Sequence, residues 1–222
     1  MNTKELAGMF DHTLLKPYAT VEDFEKFCQE AKDMGVGMVA INSAPVKLCK
    51  ELLKGTSIHV GAAISFPLGQ TTLEIKLAET LQAIKDGADE IDYVINISKA
   101  KMHDYDYIAL EMKEIVELCR KHHVISKVIF ENCYLTKEEI KDIASIARKI
   151  KPDYIKTSTG FGSGGALVED VQLMKETVGD EVKVKAAGGI RDYQTCLKMI
   201  NAGASRIGTS SSKKILEECQ KS

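Results

Sequence analysis

The chain has 222 residues, 44% of them hydrophobic, with a formal net charge of -2, enough apolar content for one large core or two small ones. That charge offers no basic field to nucleic acid or to an anionic membrane, so any anionic ligand must be held by a local site. No apolar run approaches the roughly 20 residues of a membrane span, the opening "MNTKELAGMF" is too polar for a signal peptide, and a cytoplasmic protein is expected.

In chain order, short β-rich runs alternate with polar, helix-periodic segments. The runs are "MFDHTLL", "VGMVAIN", "IHVGAAIS", "DEIDYVI", "SKVIFEN", "DYIKTST", "VKVKAAG" and "SRIGTS". Between them "EDFEKFCQEAKDMG" and "LEIKLAETLQAIKDG" end at a glycine suited to a helix C-terminus, and "KEEIKDIASIARKI" repeats the same apolar spacing. Eight such units with no linker predict a (β/α)8 TIM barrel, a short helix before its first strand, and one domain over residues 1–222. The six cysteines are far apart and form no C-x-x-C pair, which points to reduced thiols rather than a zinc site or a disulfide framework.

A parallel barrel strand meets helices on one face and the packed interior on the other, so a charge on it demands a reason. Alternation sends Val182 and Val184 toward the helices and Lys183 and Lys185 inward. It likewise turns Glu90, Asp92 and Lys156 inward. Lys183, Glu90 and Lys127 read as polar layers at the lower end of the barrel, whereas Asp92, Lys156 and Lys185 fall near the C-terminal ends of their strands, where barrel enzymes keep their chemistry. Two ammonium groups on neighbouring strands repel, and loss of one proton becomes favourable. A neutral lysine amine attacks carbonyls, and a carboxylate within reach moves protons; the trio suggests Schiff-base catalysis. His12 faces the helices by parity, and His122 and His123 close the helix before the fifth strand.

Gly160, Gly162 and Gly165 spell G-x-G-x-x-G, with Asp180 and Glu181 some way beyond, as a dinucleotide site would have. The motif lies in the sixth unit, however, after a strand that ends in Lys156. A phosphate cup accounts for it better: backbone N–H groups at Gly160, Gly188 and Gly189, with Ser210 and Ser211, would surround an anion at the mouth of the last strands.

"DHTLLKP", "KVIFENCYLT", "IKTSTGFGSGGA", "VKAAGGIR" and "RIGTSSS", in order along residues 11 to 212, resemble the motifs of the bacterial-type 2-deoxyribose-5-phosphate aldolase family. The resemblance implies a (β/α)8 barrel that reversibly cleaves 2-deoxy-D-ribose 5-phosphate to acetaldehyde and D-glyceraldehyde 3-phosphate, with no cofactor and no metal. It implies Lys156 as the Schiff-base residue, Lys185 as its perturbing neighbour and Asp92 as the relay acid, with the cup residues on phosphate. Asp11, Thr13 and Asn42 fall near the substrate hydroxyls. The implied partners are a sugar phosphate and aldehydes, without nucleic acid or membrane, and a homodimer is compatible with the chain. Departures are Ala40, where many relatives carry a cysteine, Asn132, and a tail, "EECQKS", without the terminal tyrosine of some relatives. Rival readings are another lysine-dependent barrel aldolase of the transaldolase kind, a nicotinamide-dependent oxidoreductase, and a non-catalytic sugar-phosphate binder.

Overall fold

Each β-rich run becomes a strand in the computed structural model, which describes residues 1–221: β1 Phe10–Leu14, β2 Met38–Asn42, β3 His59–Ile64, β4 Glu90–Val94, β5 Ile125–Ile129, β6 Tyr154–Lys156, β7 Lys183–Ala187 and β8 Ala204–Thr209. Neighbours pair in parallel and β8 closes on β1, leaving no sheet edge. The helix expected before the first strand is α1, Thr3–Gly8. The others are α2 Val21–Met34, α3 Val46–Leu52, α4 Leu73–Lys85, α5 Ile97–Lys101, α6 Tyr105–Lys121, α7 Lys137–Ile150, α8 Val168–Val178, α9 Tyr193–Asn201 and α10 Ser212–Gln220. Among the described residues no helix is long and apolar enough to cross a membrane.

Local chemistry explains the boundaries. Thr20 and Asp23 form a reciprocal capping box that starts α2, and Gly35, at φ 66°, ends it in the left-handed conformation. Thr136 and Glu139 start α7 in the same way. α5 and the 3-10 turn Asn132–Tyr134 are absent from the sequence reading because neither is long enough to display a period.

The main core lies between sheet and helices. Outward strand residues such as Ile91, Tyr93, Ile155, Val184 and Ile207 are fully buried against the helices. The barrel interior is different. Asp11, Glu90, Asp92, Lys127 and Lys185 are buried there, with room made by Gly61, over which Met38 folds, and by Gly208 beside Lys185. Lys183 keeps its inward parity but lies exposed at the lower end, its Nζ 5.6 Å from the Tyr154 ring centre.

α4 fixes the upper ends of three strands. Glu79 accepts from Ser43 Oγ at 2.7 Å and from the Ser65 N–H at 2.9 Å, just past β2 and β3. Lys76 Nζ donates to the Val94 carbonyl at 2.7 Å and to Glu111 Oε1 at 2.7 Å, while Glu111 Oε2 accepts from Asn96 N–H at 3.0 Å. Both side chains of the Lys76–Glu111 pair are wholly buried. Burial lowers the Lys76 pKa and raises that of Glu111, each against the pull of the partner. A buried pair of this kind adds little net stability but is costly to break. Lys76→Met should therefore lower unfolding free energy by about 3–5 kcal/mol, and Lys76→Met/Glu111→Leu should recover most of that, as read by urea denaturation.

Candidate active site

The C-terminal ends of the strands open into a cavity of about 450 Å³. Lys156 reaches its floor from the end of β6, and Thr13, Ala40, Gly160, Gly188, Gly189 and Ser210 contribute to its walls. Lys156 itself is only 4% exposed. Its register partner on β7 is Lys185, and Asp92 on β4 pairs with Lys127 on β5.

These side chains converge on Asp92. Its Oδ2 accepts from Lys156 Nζ at 2.9 Å and from Lys185 Nζ at 2.6 Å, and its Oδ1 accepts from Lys127 Nζ at 2.7 Å. Burial by itself would favour the neutral acid, but the charges of Lys127, Lys156 and Lys185 outweigh it and hold the Asp92 carboxyl well below its usual range. The Lys156 amine is pushed down to about 8. Burial is the larger cause, and the Lys185 charge adds to it while Asp92 opposes. The repulsion expected from sequence thus contributes, behind desolvation. With that pKa about a tenth of the amine is neutral at pH 7, a far larger share than for an ordinary lysine.

Lys127 corrects the sequence reading. It is not a lower polar layer detached from the site: it bonds Asp92 directly, and Glu90 on its other side. Strand register carried the signal, since Lys127 stands opposite Asp92. Asp11 also differs from expectation. It is wholly buried beneath the floor on Lys185 and Arg206, whose Nε lies 2.7 Å from Asp11 Oδ1, and it does not line the cavity. Asn42 is turned to the Leu15 carbonyl at 3.4 Å, outside the cavity lining. His12 faces the helices as expected, stacked on Phe27 with ring centroids 4.5 Å apart, and burial lowers its pKa to about 4.

The glycine-rich segment is a loop, with α8 beginning only at Val168, so no helix N-terminus follows its first turn as a dinucleotide fold requires. Gly188 and Gly189 have φ of 89° and 78°, and a Cβ at Gly165 would collide with the Gly188 carbonyl; only glycine lets the two loops meet. Ser210 lines the cavity, whereas the Ser211 N–H is donated to Thr209 Oγ1 at 2.9 Å and Ser211 stands at the head of α10. Thr159, Phe161 and Arg191 also line it and were not singled out from sequence.

Glu131 was missed as well. It follows β5 at φ 58°, a left-handed conformation that is uncommon outside glycine and concentrated at functional sites. Its Oε1 accepts from the Thr159 N–H at 3.1 Å, and Thr159 Oγ1 donates to Oε2. Burial raises its pKa. The carboxylate thereby ties the end of β5 to the loop that follows Lys156. Among the described residues no group of three or more His, Cys, Asp or Glu is placed to hold a metal ion.

A closed parallel barrel with a buried amine of depressed pKa, set against a carboxylate at the C-terminal mouth, is suited to Schiff-base chemistry on a carbonyl compound. The family model described as "DeoC/LacD family aldolase" matches residues 6–218. The chain is 60% identical to a deoxyribose-phosphate aldolase of Lactobacillus acidophilus, over 96% of this chain and 90% of that one. It is 50% identical to the enzyme of that name from Thermococcus kodakarensis, over 98% of both. Among solved structures, the tetrameric deoxyribose phosphate aldolase of Aeropyrum pernix superposes with a TM-score of 0.92 at 31% identity, covering 99% of this chain and 92% of that one. The chain belongs to the DeoC/LacD aldolase family, and it is an aldolase.

The absence of a thiol from the second strand has a chemical consequence. If Lys156 is the Schiff-base residue that the resemblance implies, its acetaldehyde enamine would add to a second acetaldehyde, and loss of water would leave an electrophilic β-carbon open to a nearby thiolate. Ala40 lines the cavity but carries no thiol, and Cys133 faces a separate cavity of about 250 Å³ behind the glycine loop, with Asn132 and Gly164. Prolonged incubation in concentrated acetaldehyde should leave most activity intact in the native protein and inactivate Ala40→Cys, with a crotonaldehyde-sized bridge in its intact mass. Rapid loss in both would contradict this.

Proposed function

We propose that this aldolase reversibly cleaves 2-deoxy-D-ribose 5-phosphate to acetaldehyde and D-glyceraldehyde 3-phosphate through a Schiff base on Lys156. The observation that carries the reading is the placement of Lys156, a buried amine with a pKa of about 8 at the floor of the cavity and 2.9 Å from Asp92. The names of the relatives supply the substrate.

The neutral Lys156 amine attacks C1 of the open-chain sugar phosphate, and the carbinolamine loses water to a protonated imine. Asp92, through water and with Lys185, takes the C3 hydroxyl proton, the C2–C3 bond breaks, and its electron pair moves into the imine to form an enamine. Glyceraldehyde 3-phosphate leaves. Protonation at C2 and hydrolysis then release acetaldehyde and restore the amine. At the far end of the cavity Gly188, Gly189 and Ser210 offer backbone N–H groups and Arg191 a charge to the phosphate, so that binding energy remote from the reacting bond aligns it. We read residues 1–222 as one domain, working in the cytoplasm without cofactor or metal; a homodimer is compatible with the chain, and light scattering on the purified protein measures the assembly.

Borohydride reduction in the presence of acetaldehyde should label Lys156 alone in a peptide map, and an adduct on Lys185 would reverse the two roles. Ser210→Asp should raise KM for the phosphorylated sugar at least tenfold more than for unphosphorylated deoxyribose, because a carboxylate then faces the phosphate. Equal effects on both sugars would place the phosphate elsewhere.

A further inference from the structure

The charges inside the barrel form one connected set that does not balance. Four cations, Lys127, Lys156, Lys185 and Arg206, share three carboxylates, Asp11, Glu90 and Asp92. Lys127 contacts all three carboxylates, with Asp11 the most distant at 3.6 Å. Lys185 contacts Asp11 and Asp92, and Arg206 contacts Asp11 and Glu90. Lys156 contacts Asp92 alone, through an oxygen that Lys185 approaches more closely. A buried cluster relieves an uncompensated charge by shifting a proton, and the cation with the fewest partners yields it.

We propose that Lys127 is a positioning residue for the aldolase reaction: it occupies Asp92 Oδ1, turns the other oxygen toward Lys156 and Lys185, and supplies the surplus cation that eases proton loss from the Lys156 amine. This rests on the reading of Lys156 as the Schiff-base residue.

Every element around the cluster is accounted for. β1 contributes Asp11, β4 Glu90 and Asp92, β5 Lys127, β6 Lys156 and the Tyr154 ring, β7 Lys185, and β8 Arg206. β2 presents only Met38, whose Sδ lies 3.2 Å from Lys127 Nζ. β3 presents His59 at the lower end, with Nδ1 2.7 Å from Glu90 and the ring partly open to solvent. Lys183 is exposed below. Above, Glu131 is bound to Thr159, beyond ion-pair distance of these cations but near enough that the Lys156 charge partly offsets the burial that raises its pKa. Lys127 is itself wholly buried, and Asp92, Glu90 and Asp11 together outweigh burial and raise its pKa, so it keeps its proton. Its charge contributes to lowering that of Lys156.

The test is the pH dependence of imine formation with acetaldehyde, measured as a single-turnover rate by borohydride quench and intact mass. The native enzyme should form the imine on Lys156 with a midpoint near pH 8. In Lys127→Met three cations face three carboxylates, Lys156 must stay charged to complete the balance, and the midpoint should rise by about one unit or more, a roughly tenfold loss of rate at pH 7. Glu90→Gln removes an anion instead, and its midpoint should fall. Lys127→Met/Glu90→Gln restores the original surplus and should return the midpoint toward the native value. Opposite shifts that cancel in the double variant are the expected result. A uniform loss of rate with unmoved midpoints would reduce Lys127 to a packing role and overturn the inference. If Lys127→Met does not fold, Glu90→Gln and the double variant still decide, since a midpoint that rises or stays fixed in Glu90→Gln contradicts the charge count. A native enzyme that forms no adduct on Lys156 refutes the underlying reading instead.

Discussion

Four cations and three carboxylates enclosed by one barrel are the constraint from which the site follows. Burying a charge is expensive unless it is paired, and Asp11, Glu90, Lys127 and Lys185 are wholly buried beneath Lys156. Asp92 answers three ammonium groups at once, so it stays ionised even though it is almost wholly buried. The cost of the arrangement falls on the cation at its upper edge, Lys156, which has the fewest partners and lines the cavity. Burial first, and the neighbouring cations second, lower the pKa of the Lys156 amine.

The rest of the fold keeps that layer still. α4 reaches the upper ends of β2, β3 and β4 through Glu79 and Lys76, two positions one turn apart on the same helix face. Val94, held by Lys76, lies two residues beyond Asp92 on the same strand, so the carboxylate is carried by backbone that cannot slide. On the opposite side Glu131 ties the end of β5 to the loop leaving Lys156. These supports sit outside the reacting atoms, and a site held to within fractions of an ångström requires such a surrounding shell.

The mouth divides into two chemistries. Toward β6, β7 and β8 it is backbone-rich and cationic, with Gly188, Gly189, Ser210 and Arg191. Phe161, on the loop after β6, also lines the cavity and is packed edge-on against Phe66, with ring centroids 5.4 Å apart.

The alternation of short β runs with amphipathic segments, and the parity of single residues within each run, were enough to read the barrel and to turn Asp92, Lys156 and Lys185 inward, because both patterns are local and repeat at fixed periods. A closing glycine marked the ends of the segments that became α2 and α4 for the same reason. Parity gives no height along the barrel axis, so Lys127 read as a lower layer, and the resemblance that set Asp11 near the substrate hydroxyls carried no depth either. Height depends on strand register and stagger, which exist only once the sheet has closed. Nor could the residues alone rank burial above repulsion at Lys156, since desolvation is a property of everything packed around the amine. The left-handed turn at Glu131 and the contact of Gly165 with Gly188 were decided in three dimensions, where loops distant in the chain are brought to one rim.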